Sequence, residues 1–241
     1  MATFGEDLLT QVIHGEKKLS LIEPHIYSLY PDPDIEHTYD TLFGNIYDRI
    51  ACSSLYNRLV WGYSISTLAS VVHEALELSD GGNLLDIGCG ALAFSAETYI
   101  HNTRRPAVLM DQSLKMLQMA KTRLMRSCGQ VPQNMVFLHG DALQLPFIDG
   151  SFDTIISLNL LHCISDTGLL LDGIKRVLTG NGRIYFTTLV RGSRLADKYL
   201  EVLAQNGKLF SRAMDDLERI FQEARTPIKY DVIGNMAVIR A

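Results

Sequence analysis

Leu84-Leu85-Asp86-Ile87-Gly88-Cys89-Gly90-Ala91-Leu92 is the stretch on which the fold turns. A short apolar run ends in two glycines one residue apart. That pattern predicts a buried strand, a tight turn and the first turn of a helix near Ala91. The glycines let the backbone turn sharply and come close to a ligand. A helix start there offers N–H groups without intrahelical partners. Asp86 falls at the strand's carboxyl end, where open α/β sheets hold their ligands. Its carboxylate is suited to orienting the loop or attracting a cationic group.

Outward from this point the chain alternates strand and helix. A helix is expected from Ala91 to Asn102, then a buried strand Ala107–Asp111 that ends in an acid. Ser113 is placed to cap the helix that follows, to Ser127. Met135–Leu138 reads as the third strand and Thr154–Leu158 as the fourth. A helix Thr167–Leu178 and the turn Thr179-Gly180-Asn181-Gly182 lead to a fifth strand, Arg183–Leu189. Helices Leu195–Gln205 and Asp215–Ala224 follow, and Ile228–Arg240 reads as two strands joined at Gly234-Asn235, a dipeptide that suits a tight hairpin. Upstream, Leu8, Leu9, Val12 and Ile13, then Leu19, Ile22 and Ile26, keep roughly helical spacing, interrupted near Pro24. Tyr30-Pro31-Asp32-Pro33-Asp34 is a linker, and helices are expected at Thr41–Leu59 and Ser64–Leu78. The expected division is an N-terminal helical extension and cap over residues 1–80, ahead of a cofactor-binding domain over 81–241.

Two cofactor classes compete for the glycine loop. Gly88-Cys89-Gly90-Ala91-Leu92-Ala93 matches the dinucleotide fingerprint, with Asp111 near the distance of a ribose-binding acid. Asp86-Ile87-Gly88-Cys89-Gly90 equally resembles the first motif of the class I methyltransferases that depend on S-adenosylmethionine (SAM). The later block Gly140-Asp141-Ala142, followed by Leu145-Pro146-Phe147-Ile148-Asp149-Gly150-Ser151-Phe152-Asp153, extends that resemblance, and a dinucleotide domain gives no reason for it. The paired steps Tyr39-Asp40 and Tyr47-Asp48 resemble the N-terminal region of the small-molecule methyltransferases related to ubiquinone and menaquinone biosynthesis.

The resemblance implies a Rossmann-like, seven-stranded α/β methyltransferase sheet, mostly parallel with the last strand antiparallel, under an N-terminal helical cap. It also implies a site. Asp86, Gly88, Cys89 and Gly90 lie around the cofactor. Asp111 accepts from the ribose hydroxyls, Gln112 lies along the adenine, Asp141 accepts from its exocyclic amine and the Ala142 N–H donates to a ring nitrogen. Asn159 stands beside the sulfonium. One residue departs from the pattern: where the family has a further glycine, this chain has Leu92.

After the fourth strand the chain reads Asn159-Leu160-Leu161-His162. Methyltransferases of amino groups in nucleic acids and proteins often carry an acid or Asn followed by Pro-Pro-aromatic here. The difference points to a small-molecule acceptor. His162 is the candidate general base; a packing or hydrogen-bonding role is the competing reading. The net charge of −5 suggests no broad electropositive surface for nucleic acid. Cys52, Cys89, Cys128 and Cys163 have no zinc-ligand spacing, so no metal is expected, and reduced thiols fit a cytoplasmic protein, monomer or homodimer. No apolar run is long enough to span a membrane. The reading is methyl transfer from SAM to a small-molecule acceptor, releasing S-adenosylhomocysteine. An NAD-dependent oxidoreductase and a SAM-binding protein without transfer remain the alternatives.

Overall fold

The computed structural model describes residues 4–31, 53–77, 81–101, 105–192 and 196–241. The expected Tyr-Asp steps and most of the helix Thr41–Leu59 lie outside them. At the centre is β3 (Leu84–Ile87), flanked by β4 (Ala107–Asp111) and β5 (Met135–His139) on one side. On its other side lie β6 (Phe152–Leu158), β7 (Leu178–Leu189) and the hairpin β8 (Lys229–Ile233) with β9 (Met236–Arg240). β3 to β7 are parallel, and β9 runs antiparallel to β7 and to β8. Strand order therefore reverses at β3, so the crevice beyond its carboxyl end is the place where such sheets bind ligands.

Strand side chains alternate between faces, and both faces of this sheet are covered. Leu85, Ile87, Val108, Met110, Val136 and Leu138 point into one apolar cluster; Leu84, Ala107, Leu109, Met135 and Phe137 point into the other. The first is closed by α1 (Phe4–Val12), α6 (Thr167–Val177) and α8 (Met214–Glu223). The second is closed by α3 (Ile65–Glu77), α4 (Ala96–His101), α5 (Leu114–Cys128) and α7 (Ala196–Gln205). Burying each large aliphatic side chain stabilises by about 1.5–3 kcal/mol. Asp86 shares the face of Leu84, which puts a carboxylate beneath α4 among apolar neighbours.

Among the described residues the sheet has nine strands, not seven. The helical spacing expected across Gly5–Tyr30 is confined to α1, and the hairpin β1 (Ser20–Glu23) and β2 (Ile26–Ser28) follows it. β2 pairs in parallel with β5 and so extends the sheet at that edge. Pro24 and His25 make the connecting turn, with His25 at φ 71°, the pattern of proline at the first corner and positive φ at the second. The interruption at Pro24 was thus a turn between strands, not a kink in a helix. Further on, α2 (Ser54–Tyr56) runs into a π turn at Asn57–Trp61, then α3. The tetrapeptide Thr179–Gly182 is absorbed into β7 as an outward irregularity: Leu178 pairs with Phe152, and Arg183 already pairs with Thr154.

Candidate functional site

The glycine loop is held by its neighbours on β4. Gly88 N–H and Cys89 N–H both donate to the Met110 carbonyl, at 2.8 and 3.0 Å. Gly90 N–H donates to Asp111 Oδ2 at 2.8 Å, and Ser113 N–H to Asp111 Oδ1 at 2.9 Å. Gly88 and Gly90 have φ of 72° and 55°, a region that glycine enters without strain. A side chain at Gly88 would press on Leu160, whereas at Gly90 it would meet open space. The helix does not begin at Ala91, as the sequence suggested. Leu92 has φ 52°, which no right-handed helix accommodates, and α4 starts only at Ala96. The loop's N–H groups are directed to Met110 and Asp111, not left at a helix start.

Asp86 is almost fully buried. Tyr99 on α4 donates its hydroxyl to Asp86 Oδ2 at 2.7 Å. Oδ1 is buried with no hydrogen-bond partner. Burial raises the carboxyl pKa to about 7, the Tyr99 hydrogen bond lowers it, and the Asp111 charge raises it. Burial likewise pushes the Cys89 thiol up, with the charges of Asp111 and Asp86 adding to the effect, so Cys89 is no thiolate nucleophile.

Just past the end of β5 stands Asp141, whose Oδ1 accepts from Leu143 N–H at 2.9 Å and whose Oδ2 accepts from the Gln144 side chain at 3.3 Å. Ala142 follows, half-buried. Gln112 is exposed, and its carbonyl accepts from Nε2 of the buried His139 at 3.1 Å. Ser28, on β2, meets Nδ1 of the same ring at 3.0 Å. Tyr30, just beyond β2, packs its ring 4.7 Å from His139. Its phenol is pushed up by burial and by the nearby charges of Asp141 and Asp111. The N-terminal hairpin thus delivers an aromatic ring near these two acids. Nothing in the local sequence around Tyr30 signals this, because the contact depends on β2 pairing with β5.

At the tip of β6, Asn159 takes φ 57°, a left-handed conformation asparagine tolerates better than most residues. Its N–H donates to the Thr187 carbonyl at 2.8 Å. Near it is the phenol of Tyr63, which is buried and pushed up to about 12 mainly by that burial, with the Asn159 side chain lowering it. Tyr63 precedes α3, so the segment ahead of α3 reaches this strand end. His162 is buried, and its Nδ1 accepts from Leu189 N–H at 3.2 Å and lies 3.2 Å from Thr188 Oγ1. Burial and the Arg212 guanidinium lower its pKa to about 4. The ring is therefore neutral near pH 7, with its hydrogen on Nε2. Arg212 in turn donates to the carbonyls of Leu161 and Ile164, at 2.8 and 2.7 Å, and clamps the turn that holds His162.

Asp86, Asp111 and Asp141 thus stand at the carboxyl ends of three adjoining strands, with Asn159 and His162 across the switch point. A family model described as a methyltransferase domain matches residues 78–227. The chain is 30% identical over 106 residues to the malonyl-(acyl-carrier protein) O-methyltransferase of Legionella pneumophila, covering 44% of this chain and 36% of that protein. It is 33% identical over 165 residues to the 27-O-demethylrifamycin SV methyltransferase of Amycolatopsis mediterranei, covering 64% of this chain and 58% of that one. The chain matches less than two thirds of the length of either relative. Among solved structures, the Haemonchus contortus phosphoethanolamine N-methyltransferase 2 in complex with SAM shares the fold, with a TM-score of 0.58 at 20% identity over 78% of this chain and 45% of that one. With this family match lying over the strand-and-glycine-loop region, the chain belongs to the class I SAM-dependent methyltransferases.

Proposed function

We propose that this chain transfers the methyl group of SAM to a small-molecule acceptor and releases S-adenosylhomocysteine. The observation that carries the reading is the set of three acids at the ends of β3, β4 and β5 around a glycine loop pinned by Asp111. The donor set fits the cofactor. Asp111, at the carboxyl end of β4, is assigned to the ribose, whose two hydroxyls a carboxylate can accept from in bidentate fashion. Asp141 and Ala142 are assigned to the adenine edge, with Gln112 alongside. Asp86, Gly88, Cys89 and Gly90 are assigned to the methionine end, where the buried Oδ1 of Asp86 suits a cation. Asn159 is assigned beside the sulfonium and His162 to the acceptor side.

When bound, SAM supplies a methyl group activated by its sulfonium. The residues of the chain bind, align and exclude water, and alignment is where most of the rate comes from. A His162 ring that stays neutral down to about pH 4 is a weak base. This favours an acceptor with a lone pair available near neutrality, such as a carboxylate or an acidic phenol, over an unactivated alcohol. The O-methyltransferase names of relatives support oxygen as the acceptor atom. An apolar groove of about 420 Å³ lined by Tyr56, Leu59, Val60, Ala196 and Tyr199 is assigned to the acceptor's apolar part. We assign residues 1–80 to the cap and 81–241 to the cofactor-binding domain, in a cytoplasmic monomer or homodimer. Cys89 and Cys128 are free thiols, which suits reduced surroundings. Among the described residues no helix is long and apolar enough to cross a membrane.

Calorimetric titration tests the reading: SAM and S-adenosylhomocysteine bind, and NAD does not. Asp111→Ala weakens both by roughly 1–3 kcal/mol, the size of losing hydrogen bonds to a charged acceptor. Unchanged affinity in that variant would remove the ribose assignment.

A further inference from the structure

We propose that Tyr99 is a positioning residue for the cofactor: its hydroxyl, 2.7 Å from Asp86 Oδ2, fixes the buried carboxylate so that Oδ1 is held ready for the cation of the ligand. The inference rests on the SAM reading above and adds a role to a residue outside the glycine motif. Tyr99 and Asp86 are both buried, and Asp86 Oδ1 has no hydrogen-bond partner. Burying a carboxylate with one oxygen unsatisfied is costly. A fixed cation at Oδ1 offsets that cost, and it does so only for the ionised form of Asp86.

Cofactor uptake is therefore linked to loss of the Asp86 proton. The groups that bear on this equilibrium come from each packed element: Tyr99 from α4, Cys89 from the loop and Asp111 from β4, with Arg105 acting on Tyr99. Burial and the Asp86 charge keep the Tyr99 phenol protonated, so it remains a donor across the working range. The Cys89 thiol stays neutral for the same reasons. Asp86 is left as the member of the cluster that changes charge near neutrality.

The test measures SAM affinity of the full chain between pH 6 and 9, for the wild type and for Tyr99→Phe. Wild-type affinity is expected to rise about tenfold from pH 6 to pH 8. Without the hydroxyl, the ionised carboxylate loses its donor and its proton is held more tightly. Tyr99→Phe is then about fivefold weaker at pH 7 and within about twofold of wild type at pH 9. Titration of the ligand's own amino group is common to both proteins and cancels in the comparison. Equal weakening at every pH marks a merely structural tyrosine and overturns the proposal, as does unchanged affinity. Should the variant fail to fold, wild-type calorimetry at pH 7 in two buffers of different ionisation enthalpy decides: roughly half a proton released per SAM supports the linkage, and none overturns it. A wild type that binds no SAM at any pH overturns the methyltransferase reading itself, whereas SAM binding without the pH shift overturns only this inference.

Discussion

Leu92 occupies the place where the resembled family carries a glycine, and it keeps the left-handed backbone that a glycine would take, with φ 52°. That conformation costs a leucine about 1 kcal/mol or more. The side chain is buried with Ala96, Tyr99 and Leu117, which returns about 2 kcal/mol or more. The balance makes a specific prediction. Leu92→Ala loses the packing and keeps the strain; Leu92→Gly loses the packing and sheds the strain. Urea denaturation should therefore find both variants destabilised, with Gly less so than Ala by about 1 kcal/mol, the reverse of the usual order at buried positions. A Gly variant that is the weaker of the two would show that the backbone at Leu92 is not strained. The strand-end positions of Asp86, Asp111 and Asp141, and the cap at Ser113, were legible because each is tied to a strand or helix terminus a few residues away. Tyr30, Tyr63 and Tyr99 were not legible. Each meets its partner across two elements, and no local spacing encodes such a meeting.

Elements show the same division between local and distant information. The alternating units from β3 to β9 were readable because buried parallel strands are short apolar runs bounded by turn residues. The β1–β2 hairpin was misread as helix because Leu19, Ile22 and Ile26 fit a helical stripe about as well as a strand edge. What decided the matter was the exposed flank of β5, which local sequence does not reveal. The C-terminal hairpin contacts the segment that precedes α3. Its tip residue Gly234 has φ 65°, and a Cβ there would strike the Trp61 carbonyl and Gly62. Asn235 N–H donates to that same carbonyl at 2.7 Å. Trp61 in turn stacks on Tyr199 of α7, with ring centroids 5.5 Å apart. Gly234→Ala combines positive φ with a backbone clash, so it should lower stability by about 2–4 kcal/mol and loosen the π turn from the hairpin. Hydrogen exchange should then quicken at Asn235 and in the segment Asn57–Trp61, while β3 to β5 stay protected. Exchange that quickens uniformly across the sheet would show that the tip has no local coupling to the π turn.

Across the whole molecule, two buried groups tilt stability against pH in opposite senses. Asp86 rises from 3.8 to about 7, chiefly through burial. The folded chain keeps a proton there that the unfolded chain has lost, so this contribution is full below about pH 4 and disappears as pH climbs through 7. His162 falls from 6.5 to about 4, again chiefly through burial, with Arg212 adding to it. The unfolded chain binds a proton that the folded ring refuses, so this contribution is full above pH 6.5 and disappears as pH drops through 4. Each is worth about 3 kcal/mol between pH 4 and 6.5, at roughly 1.4 kcal/mol per tenfold change in proton affinity. In the wild type they nearly cancel over that window. Asp86→Asn should remove one arm: relative to wild type, its stability should rise by about 3 kcal/mol from pH 4 to 6.5 in denaturant titrations without ligand. His162→Gln should tilt the other way by a similar amount. Exposed carboxylates are common to all three proteins and drop out of the differences. A wild-type curve parallel to that of Asp86→Asn would mean that Asp86 ionises at an ordinary carboxylate pKa, and the proton-linked seat for the cofactor's cation would lose its physical basis.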